Sequence, residues 1–507
     1  MTETALTPAE ASARAAACRA ISGRTLACGM SWLWGGNIVG QAAWFGSLIV
    51  LGALLPPNAF GAVAIGIVIA TAAALVQDAG SRGTIVLKRA LTAGDVVRVV
   101  SLNVAIGIAI TIAAVALADP IVQHFNPGGD VLVLQVLMLS VAIRALAIAP
   151  MAILQRSLNF KLQASAQATS LLVAATAAIV AALAGAGVWA LVVRQLAAAL
   201  LLPLLAWIAA ARPMRAEFAA PPRERGLTRR RGGLWFFLLA ATSFVALSTD
   251  TVVVGHSRGA VQLGLYSLAF TLAFAPLTTF AWQIGKVVFP ATAQTSDLDL
   301  IVERMLRITR LTATALLPLL PPTLLLAPVL LPGILGDDWK PMVVPFQILV
   351  CVGVGHAIFV ALGDSLSGVG VIRWRALVEG GWALAMIAAL IVLVHADGIT
   401  GAALAHLLVF FPYAFIWLRF GTRRLQTSAG AMFGALREIA VAAIVQTLVT
   451  YGCFTLLERV GASPLAAASV AAAAGLVALV VFVASLTPTL AGECRAFAVA
   501  LAGGRTN

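Results

Sequence analysis

Apolar residues run in long, nearly unbroken blocks along this chain, and polar residues gather in short breaks between them. Each block approaches the roughly 20 residues that carry a helix across a bilayer. The pattern predicts spans near 30–54, 59–77, 97–117, 131–153, 163–184, 188–210 and 233–255. It continues with spans near 262–285, 308–331, 342–363, 376–395, 399–418, 438–457 and 464–486. Pro, Gly or charge marks the breaks, as in "LPPN", "NPGGD", "GDDWKP", "ADG" and "ERVGASP". The expected fold is an all-α polytopic membrane protein with about 14 transmembrane helices.

Composition agrees. Of 507 residues 61% are hydrophobic and only 10% charged, with a mean hydropathy of +1.01; a soluble domain carries roughly 25% charged residues. The net charge of +13 points to topology rather than nucleic acid, because Lys and Arg collect on the cytoplasmic side. With the N-terminus inside, 28 of the 33 Lys and Arg fall in cytoplasmic segments. Only Arg258, Lys340 and Arg459 fall outside, while Arg144 and Arg194 lie within spans. Both termini are therefore expected in the cytoplasm. Residues 1–28 lack a compact apolar core before a cleavage site and read as a cytoplasmic arm, not a removed signal peptide. The cysteines Cys18, Cys28, Cys351, Cys453 and Cys494 are scattered and suggest neither a disulfide framework nor a zinc site.

An arginine-rich stretch at 211–232, with seven arginines from Arg212 to Arg231, splits twelve spans into two sets of six. It reads as an ordinary positive-inside linker or as a contact for anionic lipid head groups. The expected units are bundles at 29–210 and 233–420, two further helices at 421–487 and a cytoplasmic tail at 488–507. The two bundles look related. An offset of 203 lays Gly52 on Gly255 and Gly61 on Gly264, and an offset of 211 lays Gly187 on Gly398. Parallel repeats about an axis along the membrane normal are a transporter architecture.

Ionisable and amide groups inside spans carry the candidate chemistry. Arg144 lies about 13 residues into span four, roughly 20 Å deep, and is expected to face a water-filled interior. Arg194 lies shallower in span six, lining a cavity or snorkelling outwards. Span one presents Trp34, Asn37, Gln41 and Trp44 on one face, suited to sugar recognition or to helix packing. Thr279, Gln283 and Lys286 descend one face of span eight, and Asp78 and Arg82 mark the inner end of span two. Asp250, in span seven, is either a gate or coupling-ion residue or a packing lock, with Arg258, Arg194 and Arg144 as candidate partners. A cation-rich cavity implies an anionic substrate, since the guanidinium fork matches phosphate.

Enzyme chemistry finds little support. The chain has no GxxxxGK[ST] for ATP hydrolysis, and its five histidines show no metal spacing. The acidic pair of "GDDWK" stands alone, because the first outer loop is only "LPPN".

The segments "VQDAGSRGTIVLKRALTAGDVVRVVSLN", "ILQRSLNFKLQA", "GVWALVVRQL", "DTVVVGHSRGAVQLGLYSLAF", "KVVFPATAQ" and "LLPGILGDDWKPMVVPFQIL", in this order, resemble the polysaccharide transporter (oligosaccharide flippase) family of the multidrug/oligosaccharidyl-lipid/polysaccharide exporter superfamily. The resemblance covers roughly residues 30–420. It implies a V-shaped pair of six-helix bundles alternating between inward and outward openings in the bacterial inner membrane. The implied cargo is a polyprenyl-diphosphate-linked oligosaccharide, with membrane lipids and polysaccharide polymerase or other biosynthetic enzymes as partners, and no nucleic acid. No cofactor is implied beyond a coupling cation, Na+ or H+. Asp250 falls on an acidic position typical of the family, whereas Lys88-Arg89 and Arg144 depart from its usual pattern. Two other functions compete: a cation-coupled small-molecule exporter of the same superfamily, and a non-catalytic scaffold of a polysaccharide synthase.

Overall fold

A computed structural model describes residues 38–78, 81–88, 90–219, 233–279, 297–368, 372–486 and 492. These residues are helical, with no strand among them, and eleven of the helices are long and apolar enough to cross a membrane. The first half comprises Ile38–Leu54, Pro57–Asp78, Ala93–Ala116, Val131–Ala145 followed by Ile148–Arg156, Phe160–Leu183 and Trp189–Ala219. The second comprises Gly233–Ala273, Leu298–Leu316, Leu320–Leu335, Val343–Gly368 and Ile372–Arg424. Ala429–Arg459 and Pro464–Leu486 complete the chain. Large apolar side chains such as Leu384, Val392, Phe415 and Leu448 stand exposed along the helices, the surface expected of helices solvated by lipid tails. The protein is a multi-pass membrane protein.

Two of the longest helices are hairpins. A straight helix would set residues 250 and 266 about 24 Å apart. Instead the Tyr266 hydroxyl donates to the Asp250 carboxylate over 2.8 Å. The chain folds back at Gly259, whose φ of 75° a side chain would resist. Ile372–Arg424 turns likewise at Asp397–Gly398, where Gly398 has φ 56°. These turns fall between the spans expected from the apolar pattern.

Prolines break other helices. Span four is interrupted at Leu146–Ala147 because Pro150 has no N–H to give Leu146 and its ring crowds that carbonyl. The freed Leu146 carbonyl accepts from the Trp207 indole at 3.0 Å. The sixth helix runs past its expected end at 210 to Ala219, so the first nine residues of the expected linker are helical. Glu217 anchors this extension. Its carboxylate accepts from Arg156 Nε at 2.7 Å, and Arg156 also donates to the Ile85, Val86 and Lys88 carbonyls that end the Ser81–Leu87 helix. The arm at 1–28, linker residues 220–232 and the tail from 493 lie outside the described residues.

The two halves meet through paired glycines. A Cβ on Gly61 would lie 1.9 Å from the Ala260 carbonyl oxygen, and one on Gly264 would lie 1.7 Å from that of Pro57. Adding 203 to 57 and to 61 gives 260 and 264, so these two contacts are one contact repeated by a pseudo-twofold. Gly52 against Leu268 and Gly255 against Ile65 repeat the same relation. Gly187 and Gly398 share a φ of 56°. The internal alignment thus describes a two-sided seam of the kind found at twofold interfaces, with backbone on backbone.

Candidate functional site

Between the halves, on the far side of the seam, lies a cavity of about 1180 Å³ with wall residues from both. The first half contributes amides and cations: Gln41, Gln77, Gln163, Gln167, Gln195, Arg144 and Arg194. The second contributes mainly hydroxyls: Ser243, Ser248, Thr251, Ser267, Thr271 and Thr279. Asp78 and Arg375 complete the charged lining, so three guanidiniums face one carboxylate.

Local structure explains these positions. Arg144 ends the Val131–Ala145 helix beside the Pro150 break. Arg194 is buried, its guanidinium 3.8 Å from the centre of the Trp44 ring and 3.4 Å from the Ser47 hydroxyl. A desolvated cation on an indole is worth about 2 kcal/mol, which offsets part of its burial. The span-one stripe therefore reaches the wall through Gln41 and Trp44, with Trp44 as a platform for Arg194. Asn37, Gln283 and Lys286 lie outside the described residues. Arg82 sits on the Ser81–Leu87 helix, its side chain outside them as well.

Asp250 is not on the cavity wall. It is fully buried, and among the described residues none of the three arginines considered from the sequence is its partner. One carboxylate oxygen accepts from Tyr266 and lies 3.2 Å from His406 Nε2; the other accepts from the Thr251 backbone N–H at 2.6 Å. Arg258 instead donates to the Val394 and His395 carbonyls, capping the helix before its turn at Asp397–Gly398.

The Asp250–His406 pair heads a longer buried chain. His406 packs on Phe270 and Phe274, Phe274 on His356, and His356 on Trp382 and Tyr413. Tyr413 donates to Glu379 at 3.1 Å. The chain of contacts runs through the second half, its carboxylates and imidazoles off the cavity wall.

Sequence reasoning missed Arg375, Glu379, His356 and His406. Glu379 lies inside the span expected at 376–395, and the rule that selects Arg144 selects it too. Arg375 reads as a loop cation only because the helix begins earlier, at Ile372. The histidines were tested for metal spacing alone.

A family model described as "Polysaccharide biosynthesis protein" matches residues 50–344. The chain is similar to the succinoglycan biosynthesis transport protein ExoT of Rhizobium meliloti (strain 1021), at 22% identity over 324 residues, 63% of this chain and 64% of that protein. It is also similar to the lipopolysaccharide biosynthesis protein WzxC of Escherichia coli (strain K12), at 21% identity over 328 residues, 63% of this chain and 65% of that protein. The chain thus spans just under two thirds of the length of the curated relatives it matches. Among solved structures, the lipid II flippase MurJ in an inward closed conformation superimposes with a TM-score of 0.69 at 11% identity, over 90% of this chain and 99% of that one. An inward-facing multidrug resistance MATE transporter gives 0.52 at 16% identity, over 76% and 94%. The likeness to both is one of fold.

Proposed function

The chain belongs to the polysaccharide biosynthesis protein family, and from that membership we propose that it is a flippase. Its cargo is a polyprenyl-diphosphate-linked oligosaccharide, carried from the cytoplasmic to the outer leaflet of the bacterial inner membrane. The observation that carries this reading is the cavity: three arginines, five amides and a row of hydroxyls between two pseudo-symmetric halves. Guanidiniums bind phosphate oxygens through paired, charge-assisted hydrogen bonds. Amides, hydroxyls and Trp44 suit sugar hydroxyls and ring faces. The polyprenyl tail stays in lipid between the halves.

The proposed orientation follows the charge asymmetry, 28 of 33 Lys and Arg on one side, and puts both termini in the cytoplasm. The glycine seam is then the closed outer end. Alternating access parts the seam and closes the Asp78 end. No ATP is spent, and a coupling cation resets the empty carrier. The Asp250–His406 pair is the proposed place for that cation as a proton, and each charge moved through the field supplies ~2.3 kcal/mol per 100 mV. Polymerase and other assembly enzymes receive the product.

The test is reconstitution. Proteoliposomes holding a fluorescent polyprenyl-diphosphate oligosaccharide should show accelerated loss of inner-leaflet label with the parent protein and not with Arg144→Ala. Equal rates with and without protein would sink the proposal. Efflux of amphipathic cations in place of glycan-lipid would favour the exporter function.

A further inference from the structure

A second contact joins the halves beyond the glycine seam. His124 ends the short Ala118–Phe125 helix of the first half, and His256 lies on the Gly233–Ala273 hairpin of the second. His124 Nε2 and His256 Nδ1 are 2.6 Å apart. The ring planes differ by 20° and the centroids are 4.6 Å apart. That separation is the N···N distance extended by about a ring radius on each side, so the rings meet edge to edge in an N–H···N hydrogen bond. The adjacent residues dock too: a Cβ on Gly255 would lie 3.0 Å from the Phe125 ring. Both histidines are exposed.

We infer that His124 and His256 form an acid-released latch that holds the outer end of the transporter shut. The inference rests on the proposed orientation, which turns this end outward. Such a bond needs one donor and one acceptor, and so at most three protons on the four ring nitrogens. Histidine is the side chain whose charge changes between about pH 5 and 8. While one ring nitrogen of the contact is unprotonated, the bond forms and stabilises closure. Protonation of both rings removes the acceptor and sets two like charges face to face, so closure weakens as pH falls.

The surrounding charges leave the pair to itself. Asp130 accepts from Leu132 N–H, Arg258 is committed to the Val394 and His395 carbonyls, and Lys340 pairs with Asp337. The His395 ring contacts the Ile391 carbonyl. Asp119, Asp338 and Asp397 are exposed, and none of these carboxylates forms an ion pair with either ring among the described residues. The outer ends of Pro57–Asp78 and Val343–Gly368 bring no charge. The buried Asp250–His406 contact lies elsewhere on the same hairpin, and the variants below separate the two.

The test uses the full chain in liposomes, freed of its natural cysteines and spin-labelled at Leu117→Cys and Val261→Cys, exposed positions on opposite sides of the contact. Electron–electron distance measurement should show a short component at pH 8. At pH 5 a longer component should grow, with the open-to-closed ratio rising about fivefold for one lost hydrogen bond. In His124→Gln and His256→Gln a neutral amide still accepts, and the pH response should disappear. A parent chain with no pH response, or a response unchanged in both variants, overturns the latch. Distances are read without substrate, so failure here leaves glycan flipping untouched, and failure of flipping leaves the distances unchanged.

Discussion

Alanine at Gly61 should prop the outer end open. Its Cβ would sit 1.9 Å from the Ala260 oxygen, whereas a carbon normally stays ~3.3 Å from a carbonyl oxygen. The two backbones must therefore part by roughly 1.4 Å, and by roughly 1.6 Å for Gly264→Ala, whose Cβ would meet the Pro57 oxygen at 1.7 Å. Neither neighbour is a side chain that can rotate away. Overpacking of this kind costs about 1–3 kcal/mol, and only in the closed state, which corresponds to roughly a 5–150-fold shift towards the unsealed form. Because both alanines strain one seam, the double variant should shift less than the two singles combined. Leu55, buried beside the seam, provides the assay. With Leu55→Cys in a cysteine-free chain, labelling by an impermeant maleimide from outside should accelerate by that factor in either alanine variant, while flipping falls. Gly452→Ala, with nothing within 4 Å of its Cβ, should leave labelling unchanged. Parental labelling rates in both Gly61→Ala and Gly264→Ala would refute the seam as the outer closure.

Asp250→Ala strands His406 and Tyr266 in a dry interior, and loss of one partner of a buried pair costs about 3–5 kcal/mol; membrane levels should fall. Asp250→Asn keeps one acceptor oxygen and replaces the other by a donor that a neutral His406 or the Tyr266 oxygen can accept from; it should recover much of the level but not the pH dependence of transport, and full activity across external pH would remove the residue as a coupling group. Arg156→Met should lower the melting temperature in detergent by removing the guanidinium that faces the buried Glu217 carboxylate, with most of the loss recovered by adding Glu217→Leu; no recovery would mean the pair holds more than its own charge. Arg144→Ala and Arg375→Ala should each abolish flipping at normal membrane levels, and Lys at 144 should restore part of it. Normal flipping in either alanine variant would remove that arginine from the phosphate site.

Much of the fold was legible because lipid leaves little choice: backbone groups must pair within helices, and apolar blocks register that directly. The repeat was legible through glycines, since Gly52, Gly61, Gly255 and Gly264 occupy positions where backbone or bulky side chains leave no room for a Cβ. Helix interruptions were less so. Pro150 breaks span four, yet Pro213 sits inside a helix that continues to Ala219, because Arg156 holds Glu217 across 61 residues. Partner choice was least legible. His406 is 156 residues from Asp250, and three arginines offered a simpler charge match. Burial decides otherwise: a hydroxyl and an imidazole satisfy a carboxylate without bringing a permanent cation into the core.

The central claim is translocation, and the leaflet position of the lipid-linked glycan in cells depleted of this protein tests it most directly. Complete, undegraded glycan-lipid should accumulate on the cytoplasmic leaflet, and re-expression of the parent chain, but not of Arg144→Ala, should clear it. Glycan-lipid that never assembles, or that reaches the outer leaflet at the normal rate, would contradict the account.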